Sequence, residues 1–176
     1  MQKGVVRKRA PAPLSEYGRQ LKEKQTLKMQ YALRERQFRN YVKKALLLGR
    51  KGSGNALELL MRTLERRLDS VVFRMGMAQT RAQARQLVTH GHFVVNGKPI
   101  DVPSYQVELE DVVSVRPSSL KKELFKNIQL GLKKYQPPAW LELNSEKMEA
   151  KMLREPTLEE ASATVELPLI FEFYSR

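Results

Sequence analysis

The groups in this chain best suited to chemistry crowd into residues 80–98, where Arg81 and Arg85 stand four apart and His90 and His92 two apart. Guanidinium groups grip phosphate or carboxylate through forked N–H donors. Neither histidine comes with a set of partner ligands, and in a strand the two would point to opposite faces, so no metal site is expected. Catalysis finds no support elsewhere. The carboxylates form no isolated convergent pair, the histidines have no nucleophile beside them, and the serines and threonines fall at caps and loops. What remains is the chemistry of holding a polyanion, in a compact helix-and-hairpin unit suited to folded RNA. Ala84, Leu87 and Val88 fall at i, i+3 and i+4 as an apolar stripe, and Arg81 and Arg85 are read as lying on a different, exposed face. The same pattern also fits an ordinary amphipathic helix with a solvated basic side.

The elements that must position these groups follow from local signals. Thr80 with Gln83 fits a capping box, so the helix should start there. Gly91 suits the left-handed residue that ends a helix. Asn96-Gly97 between Val94-Val95 and Pro99-Ile100 predicts a two-residue hairpin, with Lys98 just after its turn. Upstream, Ser15 caps an expected helix over 15–33, followed by a second over 34–48. The glycine-rich loop 49–54 carries Arg50 and Lys51, but its glycine spacing is not that of a nucleotide-binding loop. Asn55 with Glu58 caps a third helix reaching residue 66, with Leu57, Leu60, Met61 and Leu64 as its core face. A short helix over 68–76 opens the RNA-binding unit. Downstream, a Lys-rich helix over 120–134 leads through an extended connector, 135–140, to strands at 140–143 and 167–174. These should extend the hairpin into an antiparallel sheet of about five strands. The expected class is α+β, a helical N-terminal domain followed by short helices packed on that sheet. There are no internal repeats.

Composition agrees. The chain has 176 residues, 41% of them hydrophobic, enough for one good core or two small ones and no large catalytic domain beside the RNA-binding unit. The formal charge of +13 calls for a polyanionic partner, nucleic acid or an anionic membrane. Residues 1–66 hold 17 Lys and Arg against 5 Asp and Glu, residues 67–116 hold 6 against 5, and residues 117–176 hold 9 against 9. The first third is therefore the electrostatic footprint. With no cysteine there is neither a disulfide nor a thiolate metal site. No stretch approaches the roughly 20 apolar residues that cross a bilayer, and the basic N-terminus lacks the apolar region of a secretory signal. Residues 1–13 read as a flexible basic arm that orders on RNA. The acidic stretch 155–166 should face solvent or a basic protein neighbour.

Residues 80–98, with Arg67-Leu68-Asp69-Ser70 before them and Pro103-Ser104-Tyr105-Gln106 and Asp111-Val112-Val113-Ser114-Val115 after, closely resemble the RNA-binding domain named after small-subunit ribosomal protein four. Residues 15–25, the run Glu35-Arg36-Gln37-Phe38-Arg39-Asn40-Tyr41 and the ending Phe171-Glu172-Phe173-Tyr174-Ser175-Arg176 resemble that ribosomal family itself, of bacterial or organellar type. The resemblance implies a non-enzymatic constituent of the small ribosomal subunit, without cofactor. It would bind the rRNA of that subunit directly at a multi-helix junction of the 5′ domain, nucleate assembly of the body and contribute to accuracy. It further implies contact with small-subunit protein five and a place near the channel through which mRNA enters, on a cytoplasmic or organellar ribosome. Some members carry a cysteine cluster in an N-terminal extension; this chain has no cysteine to offer zinc. The implied organisation is an arm over 1–13, a helical rRNA-binding domain over 14–66, the helix-and-hairpin domain over 67–116, and a C-terminal helix and strands over 117–176 completing the latter.

Candidate RNA-binding residues are Arg7, Lys8 and Arg9 in the arm, and Tyr17, Gln20, Lys22, Lys24 and Lys28 in the first helix. Arg36, Arg39, Lys43, Lys44, Arg50 and Lys51 follow in the second helix and its loop. The helix-and-hairpin domain adds Arg67, Arg74, Thr80, Arg81, Arg85, Gln86, His90, Lys98, Ser104 and Tyr105. A free-standing RNA-binding stress or regulatory factor, or a fragment of an enzyme that borrows this domain, would carry the same unit. Stoichiometric sedimentation with small subunits after a high-salt wash separates the ribosomal protein from either.

Overall fold

Two hydrophobic cores, one between helices and one between helices and a sheet, account for the architecture of the computed structural model, which describes residues 14–161 and 165–175. The first core lies among α1 (Glu16–Gln30), α2 (Glu35–Arg50), α3 (Ala56–Glu65) and α8 (Leu167–Ser175). Two of these helices start at side-chain caps. Ser15 Oγ accepts from Gly18 N at 3.2 Å and Asn55 Oδ1 from Leu57 N at 3.0 Å, each satisfying a backbone donor the helix leaves free. Leu27, Phe38, Val42, Leu60, Leu64 and Ile170 are sealed in this core.

The second core is covered by α4 (Leu68–Arg74), α5 (Arg81–Thr89), α6 (Pro117–Leu120) and α7 (Glu123–Leu132). Beneath them run β1 (Phe93–Val95), β2 (Lys98–Pro99), β3 (Val112–Val115), β4 (Leu141–Asn144) and β5 (Glu149–Met152), antiparallel throughout in the order β2-β1-β3-β5-β4. Asn96 (φ 48°) and Gly97 (φ 78°) both sit in the left-handed region, as a primed hairpin turn requires. The Asn96 side chain then fastens the hairpin to β3. Its Nδ2 donates to Asp111 at 2.7 Å, and its Oδ1 accepts from Val112 N at 2.9 Å. The α+β class and the five-stranded sheet are as expected from the sequence.

Three expectations need correction. Residues 167–174 form a helix and not a strand: Leu167, Ile170, Phe171 and Tyr174 recur at helical spacing, and Pro168 is tolerated in the first turn. That helix packs on α1 and α2, so the chain's end completes the helical layer and not the sheet domain. The fifth strand is instead Glu149–Met152, paired with both β3 and β4. Finally, the helix expected over 120–134 is the shorter α7, Glu123–Leu132, separated by Lys121 and Lys122 from the single turn α6, which ends at Leu120.

Candidate nucleic-acid interface

The cations fall into two populations. Along α2, Arg36, Arg39, Lys43 and Arg50 follow a single stripe with Lys44 beside it, and Lys51 stands in the loop after; all are exposed. Among the described residues none of the six side chains makes a hydrogen bond or ion pair. Phe38, Val42 and Ala45 bury the opposite side of the helix, which fixes the stripe outward.

The arginines of the sheet domain do the reverse. Glu65, at the end of α3 and 0% exposed, accepts from Arg74 Nε and Nη2 and from Arg81 Nη2, each at 2.9 Å, and from the Tyr31 hydroxyl. The Arg81 guanidinium lies between two rings, 4.2 Å from the centroid of Tyr31 and 4.6 Å from that of Phe73. Burial and the Glu65 carboxylate push the Tyr31 hydroxyl well above the ordinary phenol range, so it stays protonated and donates. Arg74 Nη2 also donates to the Ala161 carbonyl at 2.9 Å. Asp69 repeats the pattern: Arg67 grips both its oxygens, at 2.9 and 2.7 Å, and Arg85 reaches Oδ2 from Nε and Nη2 at 3.1 and 3.0 Å. Arg67 also donates to the Tyr41 hydroxyl at 2.6 Å, and Arg85 to the Ala32 carbonyl. Tyr31, Ala32 and Tyr41 belong to the helical layer, and the arginines to the start and helices of the sheet domain. The two carboxylates with their arginines therefore lock the layers together.

These observations revise the candidates. Arg81 is not on an exposed face: it is 7% exposed and bound to Glu65, while Arg85 is half-buried on Asp69. Arg67 and Arg74 are likewise engaged, because a buried guanidinium without a carboxylate would carry a large desolvation penalty. In α1, Lys24 is buried with its ammonium 2.8 Å from Glu35 and 4.5 Å from the centroid of the Phe173 ring, and Lys28 reaches the same carboxylate at 3.0 Å. Gln20 is buried and donates to Glu172 at 3.1 Å. These seven side chains build the scaffold. Lys22, Gln86, His90, Lys98 and Ser104 are exposed, and Tyr17 packs on Phe173 with half its surface free. Thr80 caps α5, accepting from Gln83 N at 3.1 Å, while the Gln83 amide oxygen takes Gln79 N and not the cap's own N–H. Tyr105 is half-buried against the sheet core. Arg7, Lys8 and Arg9 lie outside the described residues.

The two populations meet at a cleft of about 380 Å³ lined by Arg34, Arg36, Gln37, Arg67, Arg85, Pro103 and Ser104. It sits at the start of α2, whose N-terminal residue Arg34 supplies no side-chain cap. The two exposed arginines, Arg34 and Arg36, and the exposed Ser104 favour an anion there. Arg34 and Gln37 were absent from the candidates, although Arg34, Arg36 and Arg39 crowd together in sequence. His92 is buried with Nδ1 2.9 Å from Ser119 Oγ and its ring edge-on to Phe125. Burial, with Lys122 and His90 nearby, lowers its pKa and keeps it neutral. Of the acidic stretch, Glu155 is held by Arg62 at 2.8 Å and Arg66 at 3.3 Å, and Glu160 by Arg154 at 2.8 Å. Among the described residues there is no grouping of metal ligands and no helix long and apolar enough to cross a membrane.

Comparison with known proteins matches residues 1–65 to the ribosomal protein S4/S9 N-terminal domain and residues 66–113 to the S4 domain. Small ribosomal subunit protein uS4 of Herpetosiphon aurantiacus is 47% identical over 165 residues, covering 93% of this chain and 76% of that one. The uS4 proteins of Thermodesulfovibrio yellowstonii, 47% identical over 163 residues with the same coverage, and of Halothermothrix orenii, 46% identical over 162 residues with 92% and 76% covered, are comparable. The chain thus belongs to the uS4 family of small-subunit ribosomal proteins, which are not enzymes.

Proposed function

We propose that the protein is a structural constituent of the small ribosomal subunit that grips rRNA along the α2 stripe and anchors one phosphate in the cleft at the start of α2. The observation that carries this reading is the row of exposed cations Arg36, Arg39, Lys43, Lys44, Arg50 and Lys51, without carboxylate partners among the described residues, on a helix tied to the sheet domain through the Tyr41 hydroxyl, which accepts from Arg67. A-form RNA has a major groove too narrow for side chains to read, so recognition works by shape. A rigid row of cations tracks phosphates while polar groups such as Ser104 and Gln86 meet the backbone and 2′-hydroxyls. Rigidity matters because a junction of several RNA helices presents phosphates at fixed separations. The lock around Glu65 and Asp69 holds α2 and the helix-and-hairpin unit at one such separation. Binding directly at a 5′-domain junction, nucleation of the subunit body, a share in accuracy, contact with small-subunit protein five and proximity to incoming mRNA all extend this reading through the family.

Filter binding to a small-subunit rRNA junction across a salt series tests it. With roughly 6–8 phosphates neutralised, log K should fall against log salt with a slope of about −4 to −7. A slope near zero would overturn the proposal. So would failure to sediment with small subunits after a high-salt wash.

A further inference from the structure

The Asn96-Gly97 turn carries a chemistry that RNA binding does not use. The backbone nitrogen that follows an asparagine can attack the side-chain amide carbon and close a five-membered ring. At this turn the Gly97 N–H would give up its proton as the N–Cγ bond forms, and the Cγ–Nδ2 bond would break as ammonia leaves with that proton. Water then adds across either C–N bond of the succinimide, which yields aspartate or iso-aspartate. A following glycine, without a Cβ, hinders the attack least, and of the five asparagines (Asn40, Asn55, Asn96, Asn127 and Asn144) only Asn96 precedes one. Both turn residues are exposed, and no atom lies within 4 Å of the place a Cβ would take on Gly97. The turn is open to water.

What stands against the reaction is the set of contacts on the amide. The nitrogen must meet the carbonyl carbon from above the amide plane, a geometry reached only when the side chain and the following peptide can turn toward each other. Here Nδ2 donates to Asp111 Oδ1 at 2.7 Å and Oδ1 accepts from Val112 N at 2.9 Å, so both ends of the amide are held at the start of β3. The peptide between Asn96 and Gly97 is fixed as well, by the left-handed φ on either side of it and by the Val95–Lys98 pair that closes the turn. Asp111 is itself anchored, its Oδ2 accepting from Glu108 N at 2.8 Å.

We propose that Asn96 is a covalent modification site, a latent deamidation site that Asp111 and the Val112 N–H keep closed while the hairpin is folded. Local opening of the hairpin exposes it. Conversion is one-way, since the ammonia is lost, and neither product fits the turn. Aspartate replaces the donor to Asp111 with a second carboxylate, and like charges at hydrogen-bond distance repel. Iso-aspartate inserts a methylene into the main chain and breaks the two-residue count that sets the hairpin register. A hairpin that has opened and reacted can no longer refasten to β3. The proposal is independent of the rRNA reading, since no RNA contact enters it.

The test is peptide mapping by mass spectrometry of the full chain aged at neutral pH, folded and in denaturant, with iso-aspartate counted by enzymatic methylation. Asn96 should convert fastest of the five asparagines in denaturant and about tenfold more slowly in the folded chain, the factor expected from two hydrogen bonds of ordinary net strength. Asn144, which precedes serine and whose Oδ1 accepts from Glu146 N and Lys147 N at 3.1 Å, is the internal reference. Asp111→Ala, shown to be folded by its melt, should speed conversion at Asn96 severalfold and leave Asn144 unchanged; Asp111→Ser, which keeps a shorter acceptor, stands in if the alanine variant does not fold. Asn96→Asp should melt earlier than the intact chain, and adding Asp111→Asn, which returns a donor and an acceptor to the pair, should recover most of the loss. Equal rates at Asn96 in the folded and denatured chain would overturn the proposal. So would a folded Asp111 variant that converts no faster, or an Asn96→Asp variant that melts like the intact chain.

Discussion

The exposed cations of α2 and the arginines around Glu65 and Asp69 are the same functional groups put to opposite uses. On α2 each charge stands in water, where attraction to a fixed carboxylate would add little and solvent screens what there is. Such charges are cheap to keep and free to release counterions when a phosphate arrives. Around Glu65 water is excluded, and the same guanidinium must be paired or the protein cannot fold around it. The buried set therefore cannot let go to bind RNA, and the exposed set cannot hold the layers together. Splitting the two tasks lets the α2 stripe be strongly basic without threatening the fold.

The sharpest way to break this comparison is at Glu65. Glu65→Ala leaves Arg74 and Arg81 facing each other without their carboxylate, and should cost about 3–5 kcal/mol in a denaturant or thermal melt. Arg36→Ala, which removes a cation of the other population, should change stability by less than about 0.5 kcal/mol. Comparable losses in the two variants would show that burial is not what separates them.

The second effect is read in binding. Arg36, Arg39, Lys43 and Lys44 replaced together by alanine should flatten the salt slope by about 3 units, at 0.7–0.9 per lost phosphate contact. The melt should stay close to that of the intact chain. Arg81→Ala should do the converse, destabilising the fold while the slope of the folded protein is kept. If the quadruple variant kept its slope, the stripe would not be the RNA-contacting face.

Much of this frame was legible in the sequence, and the reasons for the rest are specific. Ser15, Asn55 and Thr80 cap helices, and Asn96-Gly97 turns a hairpin, because such signals act over three or four residues and tertiary contacts seldom overrule them. The burial of Arg81 was half visible. Arg81, Ala84, Arg85 and Val88 fall at i, i+3, i+4 and i+7, one stripe and not two, so the arginines share the apolar face. What could not be read was why that is tolerable. The carboxylates stand 16 residues away in each case, and the ring under Arg81 belongs to the turn after α1. The 167–174 error has a different origin. The helical spacing of Leu167, Ile170, Phe171 and Tyr174 is masked by the further apolar residues Leu169 and Phe173, and the waiting surface of α1 and α2 decides in favour of a helix. The helix expected from residue 120 starts only at Glu123, after Lys121-Lys122, for which the local pattern supplies no visible signal.

A smaller effect separates helix capping from RNA contact at Thr80. Its hydroxyl accepts a backbone N–H of α5, so Thr80→Val should cost about 1 kcal/mol through the lost cap. RNA affinity of the folded protein should hardly move. Loss of binding at full stability would transfer Thr80 from scaffold to interface.

Glu35 marks the boundary between the two populations and yields the smallest prediction. Partial burial alone would raise its pKa, but hydrogen bonds from Lys24, Lys28 and Tyr174 prevail and hold it at about 2, below the ordinary 4.5. The folded state therefore binds this proton less readily than the unfolded one, and the resulting stability is present in full above pH 4.5. It fades as pH falls from there through about 2. Since 46% of the Glu35 side chain is exposed, solvent screening should keep the effect below about 1 kcal/mol. Glu160, held at about 2 chiefly by Arg154, titrates over the same window, so the informative quantity is a difference between two proteins. Glu35→Gln should melt slightly earlier than the intact chain at pH 6, and the gap should close as pH approaches 2. A gap that stays constant would mean that Glu35 supports α1 by packing and not by charge. A gap that widens in acid would reverse the sign of the pairing and remove Lys24 and Lys28 from the scaffold.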